Sequence, residues 1–341
     1  MPVIGIDLGG TKISGAVFDS EGKLLHQKVH LLEGRAGAEV GQLVTQIIGE
    51  LQQTTDASAI EAVGICVPGI SDTKTGRVWA PNIPGWESYP LQKEIVGANC
   101  IRPNNANPIP QVQIAGDRSC YILGETWKGA AQGAEDAVFI AVGTGIGMGI
   151  LADGRILNGS AGISGAAGWL ALDREYEADY VQYGCFESNA SGNGIARCAQ
   201  RLLKENALFK ESILKACPIE SITAHEVFDA WAKNDPLAVH VIDRAVQWWG
   251  MAAANVVSLF NPEMIVWGGG VFGPAAQLID RIYEEACRWA QPIAMRQVQF
   301  VISQLGGDAG LYGAGRLALQ EQAPPPDPLH KEGEAQRKQG M

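Results

Sequence analysis

The chain has 341 residues, of which 46% are hydrophobic and 18% charged, and its formal net charge at pH 7 is −11. This length exceeds one average domain and suits two lobes of moderate size. The acidic balance argues against a nucleic-acid partner, because phosphate backbones recruit stripes of Lys and Arg. No apolar stretch reaches membrane-spanning length, and the chain opens on a strand-like run rather than a signal peptide. We expect a globular protein that binds neither nucleic acid nor a membrane.

The cysteines indicate the compartment. There are seven, scattered along the chain, and no two form a C-x-x-C pair. An odd number without regular spacing is typical of reduced thiols rather than of a disulfide framework. We therefore expect a cytoplasmic protein.

The first predicted elements form a β-hairpin around a glycine turn. The apolar runs Val3–Asp7 and Ile13–Phe18 flank Gly9-Gly10, and a third strand follows at Leu24–Val29. Periodicity and turn residues predict four further elements before mid-chain: a helix at Ala38–Leu51, a strand at Ala62–Val67 ended by Pro68-Gly69, a strand at Gln111–Ala115 and a helix from Asp117 onward.

A second glycine hairpin follows near mid-chain. The apolar run Ala137–Val142 enters a turn at Gly143–Gly147, and Met148–Ala152 runs back. A strand, a glycine turn and a strand thus occur twice, which indicates a duplicated two-lobe enzyme rather than a solenoid. The remaining predictions are helices between about Gly192 and Phe260, a strand at Met264–Trp267 meeting Gly268–Gly270, a helix at Ala275–Trp289, a strand at Val298–Ile302 and a helix at Ala309–Leu319.

Two polar segments lie outside this pattern. Residues 321–341, with Pro324-Pro325-Pro326 and mixed charges, bury nothing, and we expect them to be disordered. Asn99–Pro110 is polar and proline-rich. It is a substrate lid or a surface excursion, and the second is favoured.

The glycine clusters exclude two common nucleotide motifs. Gly143–Gly149 superficially resembles a dinucleotide fingerprint, but that motif needs a helix after it, and the residues that follow predict a strand. The pattern G-x-x-x-x-G-K-[ST] does not occur, so the Walker-type loop is absent.

The turns still suit an anion. Glycines let backbone N–H groups approach phosphate, the Thr11 and Thr144 hydroxyls can donate, and Asp7 can hold a hydrated Mg²⁺. For one loop alone, a tight hairpin turn is the favoured interpretation. Two loops in matching hairpins and a third at Gly268–Gly270 favour phosphate binding.

Taken together, these residues resemble the ROK family (repressors, open reading frames, kinases) of sugar kinases. The similar segments, which span nearly the whole chain up to Leu319, are Asp7-Leu8-Gly9-Gly10-Thr11-Lys12, Val67-Pro68-Gly69, Asn82-Ile83-Pro84-Gly85-Trp86, Gly143-Thr144-Gly145-Ile146-Gly147 and Asn261–Gly270. The resemblance implies an α/β, two-lobe actin-like ATPase (ribonuclease H-like) fold with ATP in the interlobe cleft. It implies an N-terminal lobe over 1–116 completed by a C-terminal helix over 308–320, a second lobe over 117–307, and a homodimer.

The resemblance also implies site residues. Asp117, in Gly116-Asp117-Arg118-Ser119, would be the general base that accepts the proton of a substrate hydroxyl. The alternative role of Asp117 is a helix N-cap, which is compatible with catalysis. ATP and Mg²⁺ would be bound by Asp7, Gly9, Gly10, Thr11, Lys12, Gly143, Thr144, Gly145, Gly147, Gly268, Gly269 and Gly270, with Asp7 holding Mg²⁺ through water. The sugar or polyol substrate would contact Gly69, Asn82, Gly116, Asp117 and Glu187.

The chain departs from the family pattern on the sugar side. Family kinases usually have Asn where Gly116 stands, and a Glu and a His that contact the sugar where Ala166 and Trp169 stand. We therefore expect poor binding of ordinary glucose, because an unpaired hydroxyl in a closed pocket costs about 1–3 kcal/mol. Glu187 remains, either to accept a hydroxyl hydrogen bond or as a surface acid.

The family's structural zinc site is also changed. Of its three cysteines and one histidine, only Cys185 is present, and one thiol cannot form a closed tetrahedral site. We expect no zinc. Tyr180, Tyr183 and Trp169 are predicted to fill the vacated volume as an aromatic cluster.

Two functions remain open from the sequence. The leading one is an ATP-dependent phosphotransferase acting on a sugar or polyol. The alternative is a non-catalytic nucleotide or sugar sensor that keeps the kinase fold. A DNA-binding regulator would need a basic face, which the sequence does not show.

Overall fold

The computed structural model describes residues 2–54, 60–97, 111–205, 209 and 211–320. The predicted disordered tail over 321–341 and the proline-rich loop at Asn99–Pro110 lie outside the described residues.

The first half of the chain builds a five-stranded sheet in the order β3-β2-β1-β4-β7. Its strands are β1 (Val3–Leu8), β2 (Lys12–Phe18), β3 (Leu24–Leu31), β4 (Ala62–Val67) and β7 (Gln111–Gly116). β1 pairs antiparallel with β2 and parallel with β4. The apolar runs in β1, β2 and β4 are buried almost throughout, while β3 lies at the edge and exposes most of its side chains.

The second half repeats this arrangement in the order β10-β9-β8-β11-β12. Its strands are β8 (Ala137–Val142), β9 (Ile146–Ala152), β10 (Arg155–Ile156), β11 (Met264–Gly268) and β12 (Gln299–Ile302). β8 pairs antiparallel with β9 and parallel with β11, as β1 does with β2 and β4. The predicted duplication is therefore confirmed.

Helices cover the two sheets. Those of the first half are α1 (Ala38–Gln52), α2 (Leu91–Gly97) and α3 (Asp117–Lys128). Those of the second half are α4 (Tyr180–Tyr183), α5 (Cys185–Ala190), α6 (Gly192–Glu205), α7 (Ala224–Trp231), α8 (Pro236–Phe260), α9 (Ile279–Cys287), α10 (Pro292–Met295) and α11 (Ala309–Leu319). Within the described residues, no helix is both long and apolar enough to cross a bilayer.

Helices α3 and α11 cross between the two sheets. α11 packs on β1 and β4 of the first sheet, α3 packs on β8 and β9 of the second, and the two helices pack on each other. Their backbones touch at Gly124 and Gly313, where a side-chain carbon would collide with the carbonyl groups of Ala309 and Cys120. The C-terminal helix thus returns to the N-terminal sheet and places the first residue of α3 between the sheets.

Two local predictions differ from the structure. The predicted helix at Ala275–Trp289 is divided in the structure. A 3-10 turn covers Pro274–Leu278, and α9 begins at Ile279 and ends at Cys287. The short hairpin of β5 (Ile70–Asp72) and β6 (Arg77–Trp79) was not predicted. Strands of three residues are too short to show alternation.

Candidate active site

Asp7 lies near the end of β1, where the backbone is crowded. It pairs in register with Cys66 of β4, and a methyl group on Gly310 of α11 would come within 2.8 Å of its carboxylate. Burial raises the pKa of Asp7 to about 6, an effect that the Cys66 thiol opposes by hydrogen bonding. The charges of Asp117 and Asp308 raise this pKa further, and the charge of Lys12 lowers it. Asp7 therefore shares one site with Asp117.

The first predicted loop follows Asp7 directly. The Gly9 N–H donates to the Lys12 oxygen at 2.9 Å and closes the turn. Gly10, Thr11 and Lys12 are exposed. An exposed glycine turn of this kind can offer N–H groups to an anion.

The second and third loops meet at a cavity of about 650 Å³. Gly143 and Thr144 of the β8–β9 turn and Gly270 after β11 line the same space. The first residues of α6, Gly192 and Asn193, join them, and the Gly192 N–H donates to the Gly143 oxygen at 2.8 Å. The remaining lining residues are Ala196, Arg197, Gln200, Glu220, Ile222, Thr223, Ala224, His225, Phe228, Asp229, Val271 and Pro274. Two of the three predicted loops and a helix N-terminus therefore converge on one cavity.

The other predicted glycines face protein atoms. A side-chain carbon on Gly145 would lie 2.7 Å from Oε2 of Glu187, and one on Gly147 would collide with the side chain of Arg118. Gly268 packs against the ring of Phe139. Gly269 takes a φ of 90° over the Val142 carbonyl, a conformation that favours glycine. These glycines allow the loop backbones to pack closely against neighbouring protein atoms.

Asp117 is the first residue of α3, as predicted. Gly116 occupies the N-cap position, so Asp117 is not the cap. Its Oδ1 accepts a hydrogen bond from the Arg118 backbone N–H at 2.8 Å, and its side chain is 34% exposed. Burial raises its pKa, while the N–H and the guanidinium of Arg118 oppose that rise. A half-buried carboxylate with a raised pKa is a suitable proton acceptor.

The predicted substrate residues fall into two groups around Asp117. Gly69 and Gly116 are in contact, since a side-chain carbon on Gly116 would lie 2.6 Å from the Gly69 oxygen. Asn82 lies beside Gly10 of the first loop, with its Cβ 3.7 Å from where a Gly10 side-chain carbon would be. The first group adjoins the proposed base, and Asn82 adjoins the phosphate loop.

Glu187 lies in α5 and packs against the β8–β9 turn. Its Oε2 accepts the Ile146 N–H at 2.7 Å, and its side chain packs against Gly145 and Gly168. Burial raises its pKa, whereas the Ile146 N–H and the charge of Arg197 lower it. The surface-acid alternative is therefore wrong.

The predicted aromatic cluster at the altered zinc position is also wrong. Trp169 is 57% exposed. Tyr180 is buried, accepts a hydrogen bond from Asn189 Nδ2 at 3.1 Å and packs edge-on to Tyr176, while the ring of Tyr183 lies under a guanidinium. The backbone of Gly184 packs against Gly168 and the Trp169 Cα. Within the described ranges, no group of three His, Cys, Asp or Glu side chains is placed to hold a metal ion.

Two cationic residues near the site were not predicted from the sequence. Arg197 lines the cavity and lies 4.7 Å above the Tyr183 ring, with an Nη2 that is buried and has no hydrogen-bond partner. Arg118 lies beside Asp117 and donates from Nη1 to the Gly165 oxygen at 3.1 Å. The sequence signal for Arg118 was its position directly after Asp117, the proposed general base.

Comparison with known proteins identifies the family of this chain. The ROK family model matches residues 3–321. A glucokinase from Halalkalibacterium halodurans is 32% identical over 330 residues, which cover 94% of this chain and 95% of that protein. The crystal structure of a ROK hexokinase from Thermus thermophilus superposes with a TM-score of 0.76 at 29% identity, covering 93% of this chain and 97% of that one. A ROK family glucokinase from Streptomyces griseus, solved with glucose and AMPPNP, gives a TM-score of 0.70 at 28% identity, covering 94% and 100%.

The fold is therefore the two-lobe actin-like ATPase fold of the ROK sugar kinases. The chain belongs to the ROK family.

Proposed function

We propose that this chain is an ATP-dependent kinase that phosphorylates a hydroxyl of a sugar or sugar-like molecule, with Asp117 as its general base. One observation carries the proposal: Asp117 begins α3 with a half-buried carboxylate whose pKa burial raises, and its charge acts on Asp7, which precedes the first glycine turn. The glucokinase names of relatives of matching length and the glucose and AMPPNP bound to the Streptomyces griseus protein support the same function.

The proposed nucleotide site is the cavity at the β8–β9 turn. The ATP phosphates would meet the Thr144 N–H and hydroxyl and the exposed first loop, including Thr11. The Gly143 N–H donates to the Gly145 oxygen at 2.9 Å and closes the turn. Backbone N–H groups at glycine turns and at a helix N-terminus suit anions even in an acidic protein. The adenine and ribose of ATP would occupy the part of the cavity lined by α6 and α7.

The Asp7 carboxylate suits a magnesium ion held through water. The charges of Asp117 and Asp308 act unfavourably on ionised Asp7, and the charge of Lys12 acts favourably. A divalent cation coordinated by oxygen would relieve this repulsion, and Asp7 would hold it through water. When bound, Mg²⁺ neutralises charge on the phosphoryl oxygens.

The chain's own residues then perform the transfer. Asp117 accepts the proton of the acceptor hydroxyl while that oxygen forms a bond to the γ-phosphorus and the bond to the β–γ bridging oxygen breaks. The products are a phosphate ester and ADP. The N–H groups of the two hairpin turns and the Lys12 ammonium stabilise the charge on the transferred group.

The lobe boundaries and the assembly are part of the proposal. Residues 1–116 with the helix over 308–320 would form one lobe, and residues 117–307 the other, because α11 packs on the first sheet and α3 on the second. We also propose a cytoplasmic homodimer. Free thiols at the described cysteines support the compartment, and family resemblance supports the dimer.

The proposal is tested by phosphoryl transfer itself. ADP release and the phosphorylated product would be followed with ATP, Mg²⁺ and a panel of neutral sugars, polyols and sugar acids. Release that depends on one acceptor supports the kinase. ATP binding without acceptor-stimulated release across the panel would overturn it and favour the sensor.

Acidification should weaken the binding of Mg²⁺ and ATP. Because burial raises the pKa of Asp7 to about 6, its metal-binding carboxylate is ionised above that pH and becomes protonated as the pH falls through it. We expect the Kd of magnesium-bound AMPPNP, measured by calorimetry, to rise roughly tenfold per pH unit below about 6. Asp7→Asn should bind weakly at every pH and lose this dependence. A Kd that stays constant for the wild type between pH 7 and 5 would contradict the assignment.

A further inference from the structure

The guanidinium of Arg118 is only partly used by the protein. Its Nη1 donates to the Gly165 oxygen, and its Nε lies 3.9 Å from Oδ1 of Asp117, which is beyond hydrogen-bond distance. Among the described residues, neither Nε nor Nη2 donates a hydrogen bond, and neither is a buried unpaired atom. The side chain is 23% exposed, so this edge of the guanidinium is open to solvent.

This open edge lies beside the Asp117 carboxylate, since Nε is 3.9 Å from Oδ1 of Asp117. The aliphatic part of Arg118 packs against Gly147 of β9, and its head reaches Gly165 in the connection that follows β10. That connection meets the first lobe, since a side-chain carbon on Gly162 would lie 3.0 Å from the Ser71 oxygen. The nucleotide cavity is lined by other residues. Arg118 is therefore placed to meet the molecule that Asp117 deprotonates, rather than the nucleotide.

The chemistry of the edge favours a carboxylate. Nε and Nη2 present two parallel N–H groups, which match the two oxygens of a carboxylate in a bidentate, charge-assisted pair. A neutral hydroxyl accepts from only one of them. Residues 166–169, next to the Gly165 contact, are Ala-Ala-Gly-Trp and offer no ionisable side chain. Asp117 forms an ion pair with Nε at 3.9 Å, which is too long to be a hydrogen bond to that N–H.

We propose that Arg118 binds a carboxylate of the acceptor, and that the substrate class is the sugar acids, meaning polyhydroxylated monocarboxylates such as aldonic and uronic acids. The inference rests on the proposed function, because Asp117 must accept the hydroxyl proton of the same molecule. A hydroxyl bonded to Asp117 at about 2.7 Å leaves the carboxylate of a six-carbon acid within reach of the guanidinium.

Matched pairs of acceptors test this inference. ADP release would give kcat/KM for glucose with gluconate and for galactose with galacturonate, using wild type, Arg118→Met and Arg118→Lys. We expect the wild type to prefer an acid over its neutral partner by roughly 10- to 100-fold, the effect of one charge-assisted pair. Arg118→Met should abolish that ratio and Arg118→Lys should retain part of it. Arg281→Met, which removes an exposed ion pair with Asp243 on the surface, should leave it unchanged.

The ratio separates this role from a merely structural one. Loss of Arg118 also removes a charge beside Asp117, but that change acts on acids and neutral sugars alike. A wild type that prefers neutral sugars, or an Arg118→Met variant that keeps the preference for acids, would overturn the inference and leave the kinase standing. Absence of turnover with every acceptor would overturn both.

Discussion

Replacing Asp117 with Asn should lower kcat by about 10²- to 10⁴-fold, the usual contribution of a positioned general base. The amide has nearly the same shape as the carboxylate, and its oxygen can still accept the Arg118 N–H that now bonds Oδ1 at 2.8 Å. It cannot accept the proton of the acceptor hydroxyl. The loss should therefore appear in steady-state turnover with any acceptor that the wild type phosphorylates.

The nucleotide should remain bound in this variant. AMPPNP affinity, measured by calorimetry, should stay within about threefold of wild type, because the cavity is built from residues other than Asp117. The melting temperature should not fall, because Gly116 and not Asp117 caps the helix. Wild-type turnover by Asp117→Asn would show that another group accepts the proton.

Replacing Glu125 with Ala should destabilise the protein by about 3–5 kcal/mol, the range for breaking a buried charged network. Glu125 is fully buried in α3. Its Oε1 accepts from the Ser303 hydroxyl at 2.5 Å and the Leu305 N–H at 3.1 Å, and its Oε2 accepts from the Ala130 N–H at 2.7 Å. The carboxylate thus ties α3 to the connection between β12 and α11. Its removal leaves buried donors without partners, each worth about 1–3 kcal/mol.

Chemical unfolding followed by tryptophan fluorescence measures this effect. The midpoint should move to much lower denaturant for Glu125→Ala and about half as far for Glu125→Gln, which keeps one acceptor oxygen. Glu135→Ala removes an exposed acid and should leave the midpoint unchanged. A Glu125→Ala midpoint as high as that of Glu135→Ala would contradict a stabilising role for the Glu125 hydrogen bonds.

The sequence identified those parts of the fold that local patterns determine. Apolar runs beside glycine turns predicted both hairpins, and the bounds of β4, β8 and α11 were confirmed. The start of α3 at Asp117 was also correct. These elements follow from neighbours in the chain, which a sequence displays directly.

Long-range contacts were not accessible in this way. Two of the Glu125 partners, Ser303 and Leu305, lie 178 and 180 residues further along the chain, and nothing local to Glu125 points to them. Trp169 was predicted in a buried cluster because large aromatic side chains are buried on average, yet it is 57% exposed. The direction of the Arg118 side chain depends on Gly147 and Gly165, which approach it only when α3 packs on β9.

The most direct test is a crystal structure with AMPPNP, Mg²⁺ and an acceptor that supports turnover. We predict one triphosphate spanning from Gly143 and Thr144 to the loop after Asp7, with the Asp117 carboxylate within hydrogen-bond distance of the acceptor hydroxyl that faces the γ-phosphorus. An AMPPNP molecule outside the cavity at Gly143 and Thr144, or an Asp117 side chain directed away from the acceptor hydroxyl, would contradict the proposed mechanism.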